Sequence, residues 1–572
     1  MKPLHPVSLW LALALVLSAR AGVAATNAPT DPAETFPVTI RVDASKSLGP
    51  LKPLWRFFGA DEPNFATMKD GRKLIGELGA LAPGRVYFRA HNLLSTGDGT
   101  PALKWGSTNA YTEDAAGNAI YNWAVIDRIF DTYLARHVRP YVEIGFMPEA
   151  LSVKPEPYQH DWRPGGSGDL ASGWAYPPKD YAKWGELVFQ WVKHCVERYG
   201  RAEVEQWYWE VWNEANYPAY WHGSANEFYK MHDYAIAAVR RALPTARVGG
   251  PDSAGPGGAF TTGFIEHCLR GTNYATGEKG TPFDFISFHA KGSPTFVENR
   301  FVRMGISNQL RDFDTGFALI AAYPELKRMP IIIGESDPDG CAACTAAVYP
   351  QNNYRNSSLY ASYTAATFGR AQALADRHGV NLEGVLTWAF EFEDQPFFAG
   401  FRVLATNGID LPVLNTFRMF NRMGGARVAV TSTHEVPFDD IIKTGVRTSP
   451  DVSALAGLEK NRLSVFVWHY HDDNLPGPSA EIALDVGGLP AAVHAVRLTH
   501  YRIDDEHSNS FTAWQKMGSP AGPNREQYQQ LLAAGQLAQL GAPTMVAITN
   551  SAATLKFTLP RQAVSLLVLE WE

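Results

Sequence analysis

Three glutamates sit where an apolar strand would not hold them without a reason. The run WYWEVWNEAN (207–216) carries Glu210 and Glu214 among four aromatic residues, and PIIIGESDPDG (330–340) delivers Glu335 directly after a featureless apolar stretch. Burying an unpaired carboxylate is costly, so each of these must find a partner or a use. Glu210 lies well inside its run and reads as a structural carboxylate, held by hydrogen bonds or by a buried cation. Glu214 and Glu335 fall where strands end. Two carboxylates meeting at one rim can cleave a glycosidic bond: one attacks the sugar carbon, and the other protonates the leaving oxygen and then activates water. A gap of about 5–5.5 Å between them gives retention of configuration, and a wider one inversion. Asn213, beside Glu214, offers an amide for a sugar hydroxyl next to the reacting carbon. Strand alternation points neighbours to opposite faces, so Asn213 and Glu214 share a site only if the chain bulges or turns there.

Such side chains need a scaffold that brings strand ends to one mouth. Between residues 50 and 425, β-rich runs alternate with amphipathic ones. The strands are LWRFFGA (54–60), GRVYFRA (84–90), PYVEIGF (140–146), WYWEVWN (207–213), ARVGGP (246–251), FDFISFH (283–289), PIIIGE (330–335) and EGVLTWAF (383–390). Eight strand–helix units predict an α/β fold, a (β/α)8 TIM barrel whose working groups project from the C-terminal strand ends. The rival, a doubly wound open sheet, would carry a Gly-rich phosphate turn after its first strand, and none is present. From residue 426 to 572 the helical pattern gives way to alternating runs such as LSVFVWHYH and AVSLLVLEW, the mark of an accessory β-sandwich. Residues 26–49, with FPVTIRVDAS, are expected to add a strand to it.

Composition limits what the site can meet. At 572 residues the chain exceeds one ordinary core, which fits a large domain plus a smaller one. A formal net charge of −7 argues against nucleic acid or an anionic membrane as partner. Sixteen Trp and 23 Tyr supply flat amphipathic rings suited to stacking on sugars. At the N-terminus, Lys2, an apolar run over residues 7–17 and small residues at Val23 and Ala25 predict a signal peptide over 1–25, hence a secreted or periplasmic protein with no membrane contact after cleavage. Cys195, Cys268, Cys341 and Cys344 read as a disulfide or free thiols rather than a metal site. Nothing in the pattern speaks to oligomeric state.

Five segments in order, VEIGFMPEAL, EVWNEAN, DFISFHAKG, IIIGESDPDG and LTWAFEFEDQPFF, together resemble glycoside hydrolase family 39, best known for β-xylosidases and α-L-iduronidases. YRIDDEHSNSFTAW in the tail extends the likeness to that family's accessory sandwich. The resemblance implies a retaining exo-glycosidase with Glu214 as general acid/base and Glu335 as nucleophile, acting on an oligosaccharide without metal or organic cofactor. It further implies Arg89 beneath the nucleophile and His91, His289, Trp388 and Glu393 around the sugar, beside Asn213, read above from its place next to Glu214, and Phe146 as a candidate subsite wall. Taken singly, the histidines, Phe146 and Trp388 would more often be core residues. The resemblance points first to a β-xylosidase releasing xylose from nonreducing ends. An α-L-arabinofuranosidase or iduronidase-like specificity stays open, as does a non-catalytic carbohydrate-binding protein on a hydrolase scaffold. One departure bears on the sugar: Lys291 stands where many xylosidases of the family carry a tyrosine. It reads either as a partner for a uronic carboxylate or as an exposed, solvated lysine. The tryptophans beside Glu214 are expected to raise its pKa by excluding water.

Overall fold

The computed structural model describes residues 34–101, 107–154, 174–388 and 391–572; the signal-peptide reading of 1–25 lies outside the described residues. Eight strands close into a barrel in chain order: β1 (Phe57–Ala60), β2 (Val86–Ala90), β3 (Val138–Ile144), β4 (Tyr208–Val211), β5 (Arg247–Ser253), β6 (Phe285–His289), β7 (Pro330–Glu335) and β8 (Asn381–Trp388). All eight pairings are parallel. Each strand coincides with an apolar run read from the sequence, and closure excludes the open doubly wound sheet. The strands are apolar almost throughout because both faces are covered, as in β7, where Ile331, Ile332 and Ile333 are fully buried.

Every strand is followed by a helix: α1 (Lys69–Leu81), α2 (Ala124–Leu134), α3 (Tyr181–Tyr199), α4 (Ala225–Ala242), α5 (Gly258–Arg270), α6 (Ile306–Ala321), α7 (Ser358–His378) and α8 (Pro412–Phe420). Local chemistry sets their starts. In α3 the Asp180 carboxylate accepts from the backbone N–H of Ala182 and Lys183, and α4 opens with a reciprocal Ser224/Glu227 capping box. Along α3, Trp184, Leu187, Val188, Trp191, Val192 and Cys195 recur every three or four residues and face the barrel wall. No described helix is long and apolar enough to cross a membrane.

The nine strands from Ala426 onward, joined by Thr35–Pro50, build a separate ten-stranded, mostly antiparallel sheet. Thr35–Pro50 lies within it, antiparallel to Ala426–Ser432 and parallel to Ser479–Gly487. Alternation is clean: Val38, Ile40 and Val42 from the first strand meet Ile482, Leu484 and Val486 in an apolar core of their own. The sheet rests on α7 and α8, where Phe420 packs on Phe466 with ring centres 4.4 Å apart and Arg370 Nη2 donates to Asp451 Oδ1 at 2.7 Å. The cysteines divide. Cys341 and Cys344 form a disulfide, and Cys195 and Cys268 are buried thiols.

Candidate active site

Strand β4 stops at Val211 and the chain then turns sharply. Trp212 and Glu214 both adopt left-handed backbone conformations, with φ of 74° and 48°. For residues other than glycine this costs about 1–3 kcal/mol each, which the surroundings must repay with fixed contacts. Those contacts are present: the Glu214 N–H donates to the Asp252 carbonyl at 2.9 Å, and Trp212 Nε1 donates to the Tyr220 carbonyl at 2.7 Å. The turn brings Asn213 and Glu214 into one site despite strand alternation. Glu335 arrives by a simpler route as the last residue of β7. Gly334 before it admits a close neighbour, since a Cβ there would stand 1.8 Å from Asp252 Oδ1.

The two strand-end glutamates face each other. Glu214, Glu335 and His289 each place one ligand atom within 4.8 Å of the others. Lys291 Nζ bridges the carboxylates, 3.1 Å from Glu214 Oε1 and 2.6 Å from Glu335 Oε2. Its ammonium supplies positive charge at the one place where this trio could otherwise hold a cation. Lys291 is therefore neither exposed nor merely solvated. The β6–α6 loop folds it onto the pair, and only about a fifth of its side chain remains accessible. His289 Nδ1 lies 2.7 Å from Glu214 Oε1, and its Nε2 lies 2.7 Å from Asp252 Oδ2.

Beneath the pair lies a buried charge network centred on Arg89 of β2. Its guanidinium meets Glu210 Oε1 at 2.5 Å, Asp252 Oδ2 at 2.5 Å and Glu143 Oε2 at 3.0 Å, and it stands 3.7 Å from Glu335 Oε1. It also donates to Asn213 Oδ1 at 3.1 Å. Glu210 is the structural carboxylate of the sequence reading, its second oxygen accepting from Tyr141 and Ser287 hydroxyls. His91 Nε2 lies 3.4 Å from Glu335 Oε1, while its Nδ1 is fixed by Asp61 at 2.8 Å. The Trp388 ring packs on His91 at 4.8 Å, and Phe146 meets the same imidazole edge-on at 6.1 Å.

Glu393 is placed differently. No contact links it to Glu214 or Glu335 among the described residues. Its carboxyl lies by the backbone N–H groups of Asp70 and Gly71 at the start of α1, where the helix dipole favours an acid. The chain after β8 turns back over α1, and it is Glu391 that goes inward, accepting from the Gly408 N–H. Sequence reasoning passed over Glu143, Asp252 and Asp61. Glu143 carried the same signal as Glu210, an acid inside a quoted strand. Asp252 and Asp61 follow strand runs directly and had no such mark.

Charge sets the protonation of the site. Burial pushes Glu335 up, but the Lys291 ammonium and His289 and His91 outweigh it and hold the carboxyl well below the usual range. Glu214 is likewise lowered: burial is outweighed by Lys291 and His289. The expected rise from apolar walls is thus absent, because two cationic groups touch this carboxylate while Trp207 and Trp209 pack behind β4 against Trp191 and Phe130. Burial would lower His289, yet Asp252, Glu335 and Glu214 raise it to about 10. Against the same penalty, Glu143, Asp61 and Glu335 lift His91 to about 9. Deep burial and the neighbouring Asp252 push Glu210 up to about 8 against the pull of Arg89.

A parallel barrel with facing, buried carboxylates at its C-terminal mouth defines a glycoside hydrolase. The profile of Glycosyl hydrolases family 39 matches residues 38–548, and the chain belongs to that family. It is 28% identical to a β-xylosidase of Geobacillus stearothermophilus over 505 residues, 84% of this chain and 86% of that one. It is 25% identical to the α-L-iduronidase of Mus musculus over 528 residues, 86% of this chain and 75% of the relative. A crystal structure of a monomeric β-xylosidase from Caulobacter crescentus CB15 superposes with a TM-score of 0.70 at 20% identity, covering 93% of this chain and 99% of that one.

Proposed function

We propose that the protein is a retaining exo-glycosidase, a β-xylosidase releasing xylose from the nonreducing ends of xylo-oligosaccharides. The observation that carries the reading is the approach of Glu214 and Glu335, whose nearest oxygens lie within 4.8 Å. So close an approach supports a double displacement, whose carboxyl groups stand about 5–5.5 Å apart, over inversion, which spaces them about 6.5–9.5 Å to hold a water. Glu335, kept ionised by Lys291, His289 and His91, attacks the anomeric carbon and forms a glycosyl ester. Glu214 protonates the departing oxygen, then takes a proton from the water that releases the sugar. Asn213 and His91 orient the ring, and Arg89 fixes Asn213 and sits beneath Glu335. Full-length likeness to β-xylosidases supports the xylose reading.

Lys291 stands between the two carboxylates, where the reacting bond must lie. Substrate entry displaces it from the bridge, and the loss of that contact lets Glu214 take up the proton it then donates. Export through the N-terminal segment brings the enzyme to polysaccharide fragments outside the cytoplasm. A 2-deoxy-2-fluoro xyloside with a good leaving group tests the assignment: it should leave a sugar ester on the peptide containing Glu335. A label on any other residue overturns the nucleophile.

Lys291 also favours a second reading, an iduronidase-like enzyme in which the displaced ammonium meets a uronic carboxylate. Rates on nitrophenyl β-xyloside, α-L-arabinofuranoside and α-L-iduronide separate these readings, and a dominant uronide rate overturns xylose.

A further inference from the structure

An unbroken ladder of rings runs outward from the carboxylates. Trp388 packs on His91 and His91 on Phe146; Phe146 lies parallel to Tyr220, with centres 5.8 Å apart and planes 5° off, and Tyr220 meets Tyr217 at 5.8 Å. Exposure rises along it, from 1% at Phe146 to 8% at Tyr220 and 47% at Tyr217. Tyr217 is pinned one turn past the glutamate, its N–H donating to the Glu214 carbonyl at 2.8 Å. The last ring is held in place and left open to solvent.

It opens into a cleft of about 540 Å³, within the range of about 300–1,000 Å³ typical of small-ligand sites. Glu214 and Lys291 line the cleft. Tyr217 and Tyr220 enter from the loop after β4. Cys341, Cys344 and Tyr349 enter from the loop after β7, across the barrel mouth. The second wall is fixed from behind by the buried Arg355, whose guanidinium donates to the carbonyls of Cys341, Cys344 and Gly400 and pairs with Asp339 at 2.6 Å.

We propose that this cleft is the leaving-group subsite, and that Tyr217 is its platform, on which the flat apolar face of a departing ring, a sugar or an aryl group, stacks. The inference rests on the glycosidase reading above. A general acid must face the oxygen that departs, and Tyr217 follows Glu214 on the same loop with its N–H on the Glu214 carbonyl, so its ring stands on the side of the acid and of the leaving group. A lone exposed tyrosine would carry little. Tyr217 differs because it continues the ring series that begins against the sugar-side histidine and because it bounds the cleft beside the acid. A tyrosine ring loses little rotational freedom on stacking and covers a pyranose face or an aryl ring equally well. Specificity for the departing group then comes from this outer ring, separately from the sugar held below.

The test compares three substrates sharing the sugar that the unmodified enzyme cleaves fastest: its glycosyl fluoride, which has no leaving ring, its disaccharide and its phenyl glycoside. In Tyr217→Ala, the ratio of kcat/KM for the ringed substrates to that for the fluoride should fall about tenfold, the loss of one stacked ring. Tyr217→Phe should restore it, because the ring face and not the hydroxyl is used. A fall in the disaccharide arm identifies a sugar as the ligand, and a fall in the phenyl arm alone an aryl group. Unchanged ratios in both arms overturn the proposal. A wild-type enzyme that cleaves none of the three fails the glycosidase reading itself, a different and recognisable result.

Discussion

The two cores of this chain are opposites. Beneath the barrel mouth, Arg89, Glu143, Glu210 and Asp252 are all fully buried, with His289 beside them. In the sheet domain, the enclosed side chains are Val38, Ile40, Leu463, Val465, Leu484, Leu567 and their like. The first core holds titratable groups out of water, where a charge is worth most to chemistry and costs most to stability. The second follows the ordinary rule that apolar area leaves water. The difference teaches where function resides: a carboxylate inside a strand signals a site only when a cation is folded against it.

Breaking the comparison at its functional end should have the largest effect. Glu335→Gln removes the attacking group, and kcat should fall about 10⁴-fold or more while the fold persists; circular dichroism with single-turnover rates checks both. Glu214→Gln should slow substrates with poor leaving groups by about 10²–10⁴-fold and activated ones far less, because only the former need the proton. Equal losses on both would remove Glu214 from the acid role.

Next come stability effects of similar size but unlike origin. Arg89→Met strands several buried acids and should cost about 3–5 kcal/mol in denaturant unfolding. Leu484→Ala, facing Ile40 and Leu555 across the sheet, should cost about 2–5 kcal/mol through the cavity it leaves and should not alter kcat/KM. A Leu484→Ala enzyme with altered kcat/KM would break the division between the two cores.

The smallest effect is a shift along the pH axis. Lys291 lowers the pKa of both Glu214 and Glu335. The alkaline limb of kcat/KM needs a proton on Glu214, and the acid limb needs Glu335 ionised. Removing the ammonium in Lys291→Met raises both carboxyls, so both limbs should move to higher pH. Fixed limbs would place Lys291 outside the proton chemistry.

The barrel was legible because each strand is a short β-rich run ended by a turn, and a strand-end glutamate stands out against isoleucine. Glu214 and Glu335 could be paired on paper because β4 and β7 lie across an eight-membered ring. Lys291 drew notice in the sequence, but its place between the two glutamates could not be read. It lies 77 residues from Glu214 in a Gly-, Ser- and Pro-containing loop, and such a lysine looks solvated until the loop folds inward. The place of Glu393 beside α1 was hidden for a related reason. Past β8 the chain has no period, so nothing in FEFEDQ distinguishes the inward acid, Glu391, from the one beside α1. The lowered Glu214 was likewise hidden, since aromatic neighbours in sequence packed behind the strand while distant cations came to its front.

Arg89 touches acids delivered by β3, β4, β5 and β7, and so it samples nearly the whole circumference of the barrel. A fragment holding only the first four strand–helix units would present Glu143 and Glu210 to that guanidinium without Asp252, Glu335 or the imidazole between them. The reactive centre is therefore complete only in the closed ring, and an incompletely wound chain lacks most of its parts.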